Sequence, residues 1–150
     1  MGQPVADVAA FLSGTWVVDR DIVDSLRGAA GTFIGSAKFA PDGDVLTWVE
    51  AGELQWVADV HRAPVTQKAG RRLLVAVQPC VPCVVDVAFD DGTFFHRADL
   101  SSGSDIFVHG CAPDIYRGTW TVSSPNRFQV TWDVEGPAKQ LMIRSSYSRV

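Results

Sequence analysis

The chain has 150 residues, of which 47% are hydrophobic and 20% are charged, and its formal net charge at pH 7 is −4. This length predicts one domain with a hydrophobic core of real size. The acidic balance argues against nucleic acid or an anionic membrane as a partner, because phosphate binding requires a basic face.

The first predicted element is one short helix over residues 4–12. Pro4 suits a first-turn position, and Gly14 ends the helix. Such a helix can plug one open end of a barrel. Its apolar stripe has helical spacing and consists of Val5, Val8, Ala9 and Leu12.

After the helix, apolar and polar residues alternate with period two, which is typical of half-buried strands. Turn signals at 41–44, 51–53 and 91–92 separate some of these segments. Regular strands joined by short turns predict an all-β fold, an antiparallel meander β-barrel of about ten strands, because closure leaves no open edges. A two-sheet sandwich is the alternative. The predicted strands lie within 16–22, 33–39, 46–50, 54–58, 71–78, 85–89, 94–100, 107–109, 116–122, 128–134 and 141–149.

Two short motifs stand at the ends of this pattern. Gly14-Thr15-Trp16 opens the first strand, and Tyr147-Ser148-Arg149 lies in the last one. In a closed meander the first and last strands are neighbours, so Trp16 and Arg149 are expected to meet. A guanidinium across the indole would close the barrel with a cation–π contact worth about 0.5–2 kcal/mol.

Gly-x-Trp on the first strand with Arg on the last resembles the calycin superfamily, which includes lipocalins, fatty-acid-binding proteins and nitrobindin-like barrels. Longer segments resemble a bacterial domain-of-unknown-function family, number 6314. The resemblance implies a calycin-like barrel and leaves the activity open. The segments that carry the longer resemblance are 11–16, 20–24, 94–100, 109–116 and 136–139.

The chain departs from the superfamily in two ways. Residues 24–31 are too short and too rich in glycine for the two-helix lid of fatty-acid-binding proteins, so we expect a more open mouth. Nitrobindin-like barrels ligate haem through a histidine near the C-terminal end. The last two predicted strands contain no histidine, so a haem role does not transfer by position.

Period-two alternation also predicts which polar side chains point inward with Trp16. On this basis Arg20, Glu50, Ser145 and Tyr147 face the barrel interior. An inward arginine must be paired, because an isolated buried charge is costly. Glu50 is one partner for Arg20. The alternative is that Arg20 anchors a carboxylate or phosphate of a ligand.

A second polar group is predicted from the turn at 101–104. A hairpin centred there sets His96 opposite His109 and Phe94 opposite Cys111, with Asp114 and Tyr116 just beyond. Two imidazoles and a thiol would then share one wall. The alternatives are contact with a ligand head group, acid–base chemistry, a zinc or haem site, and hydrogen bonds that only stabilise the barrel.

The remaining signals are less specific. Cys80 and Cys83 form a lone C-x-x-C, read as a turn between strands, and three cysteines make a poor disulfide framework. The N-terminal residues lack a secretion signal and no apolar run is long enough to span a membrane, so the expected location is the cytoplasm. The tryptophans that could line a cavity are Trp48, Trp56, Trp120 and Trp132.

Together these patterns predict a protein that binds a small, mainly apolar molecule with a polar or anionic end inside the barrel. The alternative is an enzyme that acts on such a ligand with His96 or His109 as acid and base, or a metal or haem barrel that uses the same histidines. The expected partner is a hydrophobic or amphipathic small molecule, and a homodimer is left open. The predicted ligand-binding residues are Arg20, Trp48, Glu50, His96, His109, Cys111, Tyr116, Trp132 and Tyr147.

Overall fold

A computed structural model of the protein describes residues 2–59 and 61–150. The described chain is all-β, with 72% of it in strands. Its elements are helix α1 (Val8–Leu12) and strands β1 (Gly14–Asp24), β2 (Ala29–Asp42), β3 (Val45–Val57), β4 (Val65–Gln78), β5 (Val81–Phe89), β6 (Phe94–Asp99), β7 (Ser104–Cys111), β8 (Asp114–Ser124), β9 (Arg127–Gly136) and β10 (Lys139–Arg149).

The ten strands form one antiparallel sheet in the order β6-β5-β4-β3-β2-β1-β10-β9-β8-β7. Consecutive strands are hydrogen-bonded neighbours except β6 and β7, and the first strand pairs with the last, so the sheet curls into a nearly closed barrel. The predicted antiparallel meander barrel is confirmed. Only β6 and β7, the two ends of the sheet order, face each other without a hydrogen-bonded ladder among the described residues.

Two predicted strand boundaries are wrong. The segment 46–50 and residues 54–57 of the next predicted segment belong to one strand, β3, and the predicted turn between them does not exist. Gly52 lies opposite Gly35 of β2, and a Cβ atom on Gly52 would collide with the backbone oxygen of Ile34. The glycine therefore serves a close approach of two backbones instead of a turn. Strand β4 also begins earlier than predicted, at Val65.

The N-terminal helix is shorter than the predicted 4–12. Its N-cap is Asp7, whose side chain accepts a hydrogen bond from Ala10 N at 3.1 Å. Before it, Gln3 N donates to the Val122 carbonyl at 2.6 Å and Val5 N donates to the Leu100 carbonyl at 3.0 Å. These bonds hold the segment against the ends of strands, so its backbone is not available for a helix.

Helix α1 covers one end of the barrel, which we call the closed end. Val8 and Leu12 of the helix are fully buried there. Trp16 is also fully buried and donates from Nε1 to the Leu12 carbonyl at 2.8 Å. The opposite end, which we call the mouth, carries the turns that follow β1, β3, β5, β7 and β9. No helix of the described residues is long and apolar enough to cross a membrane.

The predicted contact between the first and last strands is confirmed. Trp16 pairs with Arg149 in the β1–β10 ladder, and the guanidinium carbon of Arg149 lies 4.2 Å from the indole centroid. The same guanidinium donates to the carbonyls of Phe11 at 2.6 Å and Ser13 at 3.1 Å. Arg149 therefore joins the last strand, the first strand and the end of the helix.

A column of aromatic rings fills the closed half of the barrel. The rings of Trp120, Phe128 and Tyr147 stack in parallel, with centroids 5.2 Å and 4.4 Å apart. All three side chains are fully buried, and Trp16 packs edge-on against Phe128 at 4.9 Å. This half of the barrel is a packed core, so open space remains only nearer the mouth.

Candidate functional site

The aromatic column ends at a buried carboxylate, that of Glu50, which accepts four hydrogen bonds. Its Oε1 accepts from Arg20 Nη2 and from Arg71 Nε, each at 2.8 Å. Its Oε2 accepts from Tyr147 OH at 2.6 Å and from Trp48 Nε1 at 3.1 Å. We call these five residues and Ser145 the Glu50 network.

The strand register explains why these side chains meet. Glu50 of β3 and Arg71 of β4 are direct cross-strand partners. Arg20 of β1 and Ser145 of β10 are partners in the closing ladder, and Arg20 Nε donates to Ser145 Oγ at 2.6 Å. Tyr147 follows Ser145 by two residues on the same face, so it also points inward. Its hydroxyl oxygen accepts a hydrogen bond from Arg20 Nη2 at 3.1 Å.

The network holds two positive charges and one negative charge. Burial alone would raise the pKa of Glu50, but the charges of Arg71 and Arg20 and the hydrogen bonds it accepts hold that pKa below its usual value. Burial and the Glu50 charge raise the pKa of Tyr147 to about 12, so its hydroxyl keeps its proton. The side chains of Glu50 and Arg20 are 0% and 10% exposed, whereas that of Arg71 is 39% exposed.

A cavity of about 250 Å³ lies between this network and the mouth. Arg20, Arg71 and Ser145 form its polar floor. Neither Nη atom of Arg71 takes part in the network bonds, nor does Nη1 of Arg20. These N–H groups make no hydrogen bond of 3.5 Å or less to another residue within 2–59 and 61–150, and they belong to two residues that line the cavity. The apolar walls consist of Ile22, Phe95, Tyr116, Val130, Trp132 and Ile143.

The structure separates the predicted ligand-binding residues into two layers. Arg20, Tyr116 and Trp132 line the cavity. Glu50, Trp48 and Tyr147 are inward and fully or almost fully buried, and they lie beneath the cavity as part of the Glu50 network. Of the two alternatives for Arg20, the structure shows the one in which it pairs with Glu50.

Arg71 is the charged cavity residue that the predicted ligand-binding set lacks. The set also lacks Ser145 and four apolar lining residues, which are Ile22, Phe95, Val130 and Ile143. Arg71 stands at the start of the segment predicted as a strand over 71–78, where no inward face was assigned. Leu73 and Val75 are buried, and Arg71 has the same parity along β4. Alternation through 71, 73 and 75 was therefore the signal that would have placed Arg71 inside the barrel.

The predicted facing of His96 and His109 across a hairpin is wrong. His96 pairs with Val87 of β5, and His109 pairs with Tyr116 of β8. Leu100 N donates to Cys83 O of β5 at 2.9 Å, and β6 and β7 form no ladder among the described residues. The two histidines share a neighbour instead, since the Phe95 ring packs edge-on against both, at 4.6 Å and 5.6 Å.

His96 is 4% exposed and lies among aromatic rings. It stacks on Phe107 at 4.8 Å, and its Nε2 accepts a hydrogen bond from Trp120 Nε1 at 3.0 Å. This bond assigns the proton of the neutral imidazole to Nδ1, which is buried without a partner among the described residues. Burial, with smaller contributions from the charges of Arg71 and His109, lowers the pKa of His96 to about 3.

The cysteines lie outside this inner site. Cys111 is exposed at the mouth end of β7, so the predicted thiol partner of Phe94 does not join the histidines on one inner wall. Cys80 is exposed in the turn between β4 and β5, as predicted. Cys83 is half-buried within β5, so the predicted turn does not reach it. Within residues 2–59 and 61–150, no group of three or more His, Cys, Asp or Glu side chains is arranged to hold a metal ion.

The chain belongs to the family of unknown function DUF6314, which matches residues 12–149. This confirms the resemblance expected from the sequence segments. No curated protein sequence matches the chain.

Several solved structures are similar to the chain at low sequence identity. The S-type phycobiliprotein lyase CPES from Guillardia theta is 7% identical with a TM-score of 0.60, over 99% of this chain and 93% of that one. EF1p2_mFAP2b bound to DFHBI is 16% identical with a TM-score of 0.47, over 97% and 98% of the two chains. A de novo designed fluorescence-activating β-barrel is 15% identical with a TM-score of 0.47, over 97% and 100%.

Proposed function

We propose that the barrel binds a small, mainly apolar molecule with one anionic end, and that Arg20 and Arg71 receive that end. The observation that carries the proposal is the cavity of about 250 Å³, which has two guanidinium groups in its floor and apolar side chains in its walls. Concave apolar pockets with a few converging polar groups are the usual form of small-molecule sites.

The balance of charge supports an anion over a neutral ligand. The two guanidiniums share one carboxylate, that of Glu50, so one positive charge in the floor is uncompensated. A partly buried charge without a partner is costly, and a ligand that supplies the missing negative charge removes that cost. A carboxylate also matches the planar donor pattern of a guanidinium.

The test is a comparison of acid and alcohol of the same skeleton, with 2-naphthoic acid and 2-naphthalenemethanol as probes in calorimetric titrations. We expect the acid to bind more tightly to the wild-type protein. Arg71→Met removes one floor charge and is expected to weaken acid binding by roughly tenfold or more, as for hydrogen bonds to charged groups. Alcohol binding should change little.

Arg72→Met is the matched control. Arg72 is the next residue on β4, points outward and pairs with Asp90 at 2.6 Å, so its loss removes the same charge without touching the cavity. Thermal melting of both variants checks that the fold is intact. Equal loss of acid binding in the two variants, or no preference for the acid in the wild-type protein, would contradict the proposal.

A further inference from the structure

We infer that the ligand of this cavity is a compact aryl carboxylate, and this inference rests on the proposed function. Its carboxylate contacts Arg20 and Arg71 in the floor, and its ring lies between the apolar walls. The ligand is thereby assigned three properties. They are a single negative charge, a length of about one fused ring system, and a flat apolar body. Each property follows from a different feature of the cavity.

The single charge follows from the floor. Two guanidiniums against one carboxylate leave one positive charge, so a ligand with one negative charge brings the floor to neutrality. A doubly charged phosphate would leave one negative charge in a partly buried site, which is costly. The N–H groups outside the network, on Arg71 Nη1 and Nη2 and on Arg20 Nη1, can donate to both oxygens of one carboxylate.

The short length follows from what lies beneath the floor. The Glu50 network and the aromatic column occupy the closed half, where Trp48 and Tyr147 are 1% and 0% exposed. A ligand therefore cannot extend downward past Arg20. Above the floor, β1 continues from Arg20 only to Asp24. At the usual rise and tilt of barrel strands this is about 10 Å along the barrel axis.

The volume agrees with this depth. About 250 Å³ corresponds to the space of roughly eight water molecules. One leaflet of acyl chain in a bilayer is roughly 15 Å long, half the hydrocarbon thickness. A long-chain fatty acid bound by its carboxylate would therefore leave part of its chain outside the mouth, in water.

The flat body follows from the walls. The rings of Phe95 and Trp132 are stacked nearly parallel at 4.9 Å, and Tyr116 stands edge-on to Trp132 at 6.2 Å. Gly118 lies opposite Trp132 on β8, and a Cβ there would collide with the rings of Phe107 and Trp132. The glycine therefore keeps room for both rings. Aromatic walls favour an aromatic ligand, which gains offset or edge-to-face contacts beyond its buried area.

The experiment uses calorimetric titration of the wild-type protein with four acids. For the flat body, 2-naphthoic acid is compared with decalin-2-carboxylic acid, which has the same carbon skeleton but is saturated and puckered. We expect 2-naphthoic acid to bind roughly tenfold more tightly. For the length, octanoic acid is compared with hexadecanoic acid, and we expect dissociation constants within about threefold. A fully enclosed chain would instead gain about fourfold for each added methylene.

Two neighbouring phenylalanines provide matched variants. Phe95→Leu removes a ring from the cavity wall, whereas Phe94 is 55% exposed and Phe94→Leu removes a ring outside the cavity. Phe95→Leu should reduce the preference for 2-naphthoic over decalin-2-carboxylic acid, and Phe94→Leu should leave it unchanged. Thermal melting checks the fold of both variants.

The outcomes separate the two proposals. In one outcome, acids bind in an Arg71-dependent way while hexadecanoic acid binds far more tightly than octanoic acid. In another, acids bind in an Arg71-dependent way while the saturated and aryl acids bind with equal affinity. Either result overturns the inference of a compact aryl ligand and leaves the proposed function standing. If no acid binds in an Arg71-dependent way, the proposed function itself is wrong. Tight, Arg71-dependent binding of 2-naphthoic acid with the expected preferences supports both.

Discussion

At the scale of single residues, the carboxylate of Glu50 decides how the interior is organised. Four donors from four different strands converge on it, so it fixes the positions of Arg20, Arg71, Trp48 and Tyr147 together. Buried ion pairs gain little net stability when complete, but breaking one leaves an uncompensated charge. The function of the network is therefore to hold two guanidiniums beneath the cavity at a defined place.

Glu50→Gln should destabilise the protein by about 3–5 kcal/mol at pH 7, because Arg20 is left buried without its charged partner. The pKa of Glu50 is lower folded than unfolded, so its stabilisation is present above the unfolded pKa and is lost as pH falls through the folded one. Urea unfolding at pH 7, 5 and 3 measures both effects.

The control for this variant is Glu53→Gln. Glu53 lies on the same strand and is not part of the Glu50 network, so its substitution should change stability little. A Glu50→Gln protein with wild-type stability, or with the wild-type loss of stability in acid, would show that Glu50 does not carry the buried charge.

His96 gives a second and separate pH effect. Its pKa of about 3 lies far below that of an exposed histidine, so the unfolded chain binds a proton more readily than the folded one between about pH 6.5 and pH 3. Stability is therefore full above pH 6.5 and falls as pH drops through this window, by up to roughly 1.4 kcal/mol per pH unit. NMR titration of the imidazole should show a neutral ring with a proton on Nδ1 from pH 8 to pH 5. A midpoint near 6.5 would contradict the buried setting.

At the scale of elements, alternation predicted the strands well because each strand has one face in the core. It placed Arg20, Glu50 and Tyr147 inside from the sequence alone. It failed where a local signal has two meanings. A glycine at position 52 is typical of a turn, yet Gly52 allows the close approach of β2 and β3. This role becomes visible only when the partner strand β2 is known.

The register of the histidines could not be predicted either. A turn at 101–104 normally implies a hairpin, and the count of residues from its centre then fixes the pairs. The turn itself forms, since Gly103 N donates to Leu100 O, but Leu100 also bonds to β5 and to the N-terminal segment, and Gly103 O accepts from Val122 N of β8. The strands on either side of the turn therefore follow tertiary contacts, and they form no ladder with each other among the described residues.

Gly52→Ala tests the close approach. The added methyl would meet the backbone oxygen of Ile34, which cannot move without moving β2, so we expect a loss of about 1–3 kcal/mol, as for overpacking. Gly110→Ala is the matched control, because no atom lies within 4 Å of a Cβ built there. Urea unfolding measures both. Small and equal losses of stability in the two variants would show that position 52 does not require glycine.

At the scale of the whole molecule, the barrel divides into a packed closed half and an open half with the cavity. Helix α1, Trp16 and the aromatic column stabilise the first half, and the Glu50 network separates it from the second. Stability and the proposed contact with a ligand therefore depend mainly on different residues. This division lets the walls above the network change without loss of the core.

The closure of the barrel is tested by a double-mutant cycle on Trp16 and Arg149. Trp16→Ala should cost about 3–5 kcal/mol, as for a buried large aromatic residue. Arg149→Ala should cost less. The two effects should be non-additive, because the guanidinium lies 4.2 Å from the indole centroid. Unfolding free energies of the four proteins give the coupling, and a coupling of zero would contradict the role of this contact.

The pairing of β1 with β10 also dictates the timing of assembly. On the ribosome β1 emerges first and its partner β10 emerges last of the ten strands, so one edge of β1 stays unpaired during synthesis of all the others. Such an edge is a template for pairing with another chain. Non-local pairing is also slower than hairpin formation. The nascent chain is therefore most exposed to aggregation just before Arg149 reaches Trp16, and a chain interrupted before β10 keeps that exposure permanently.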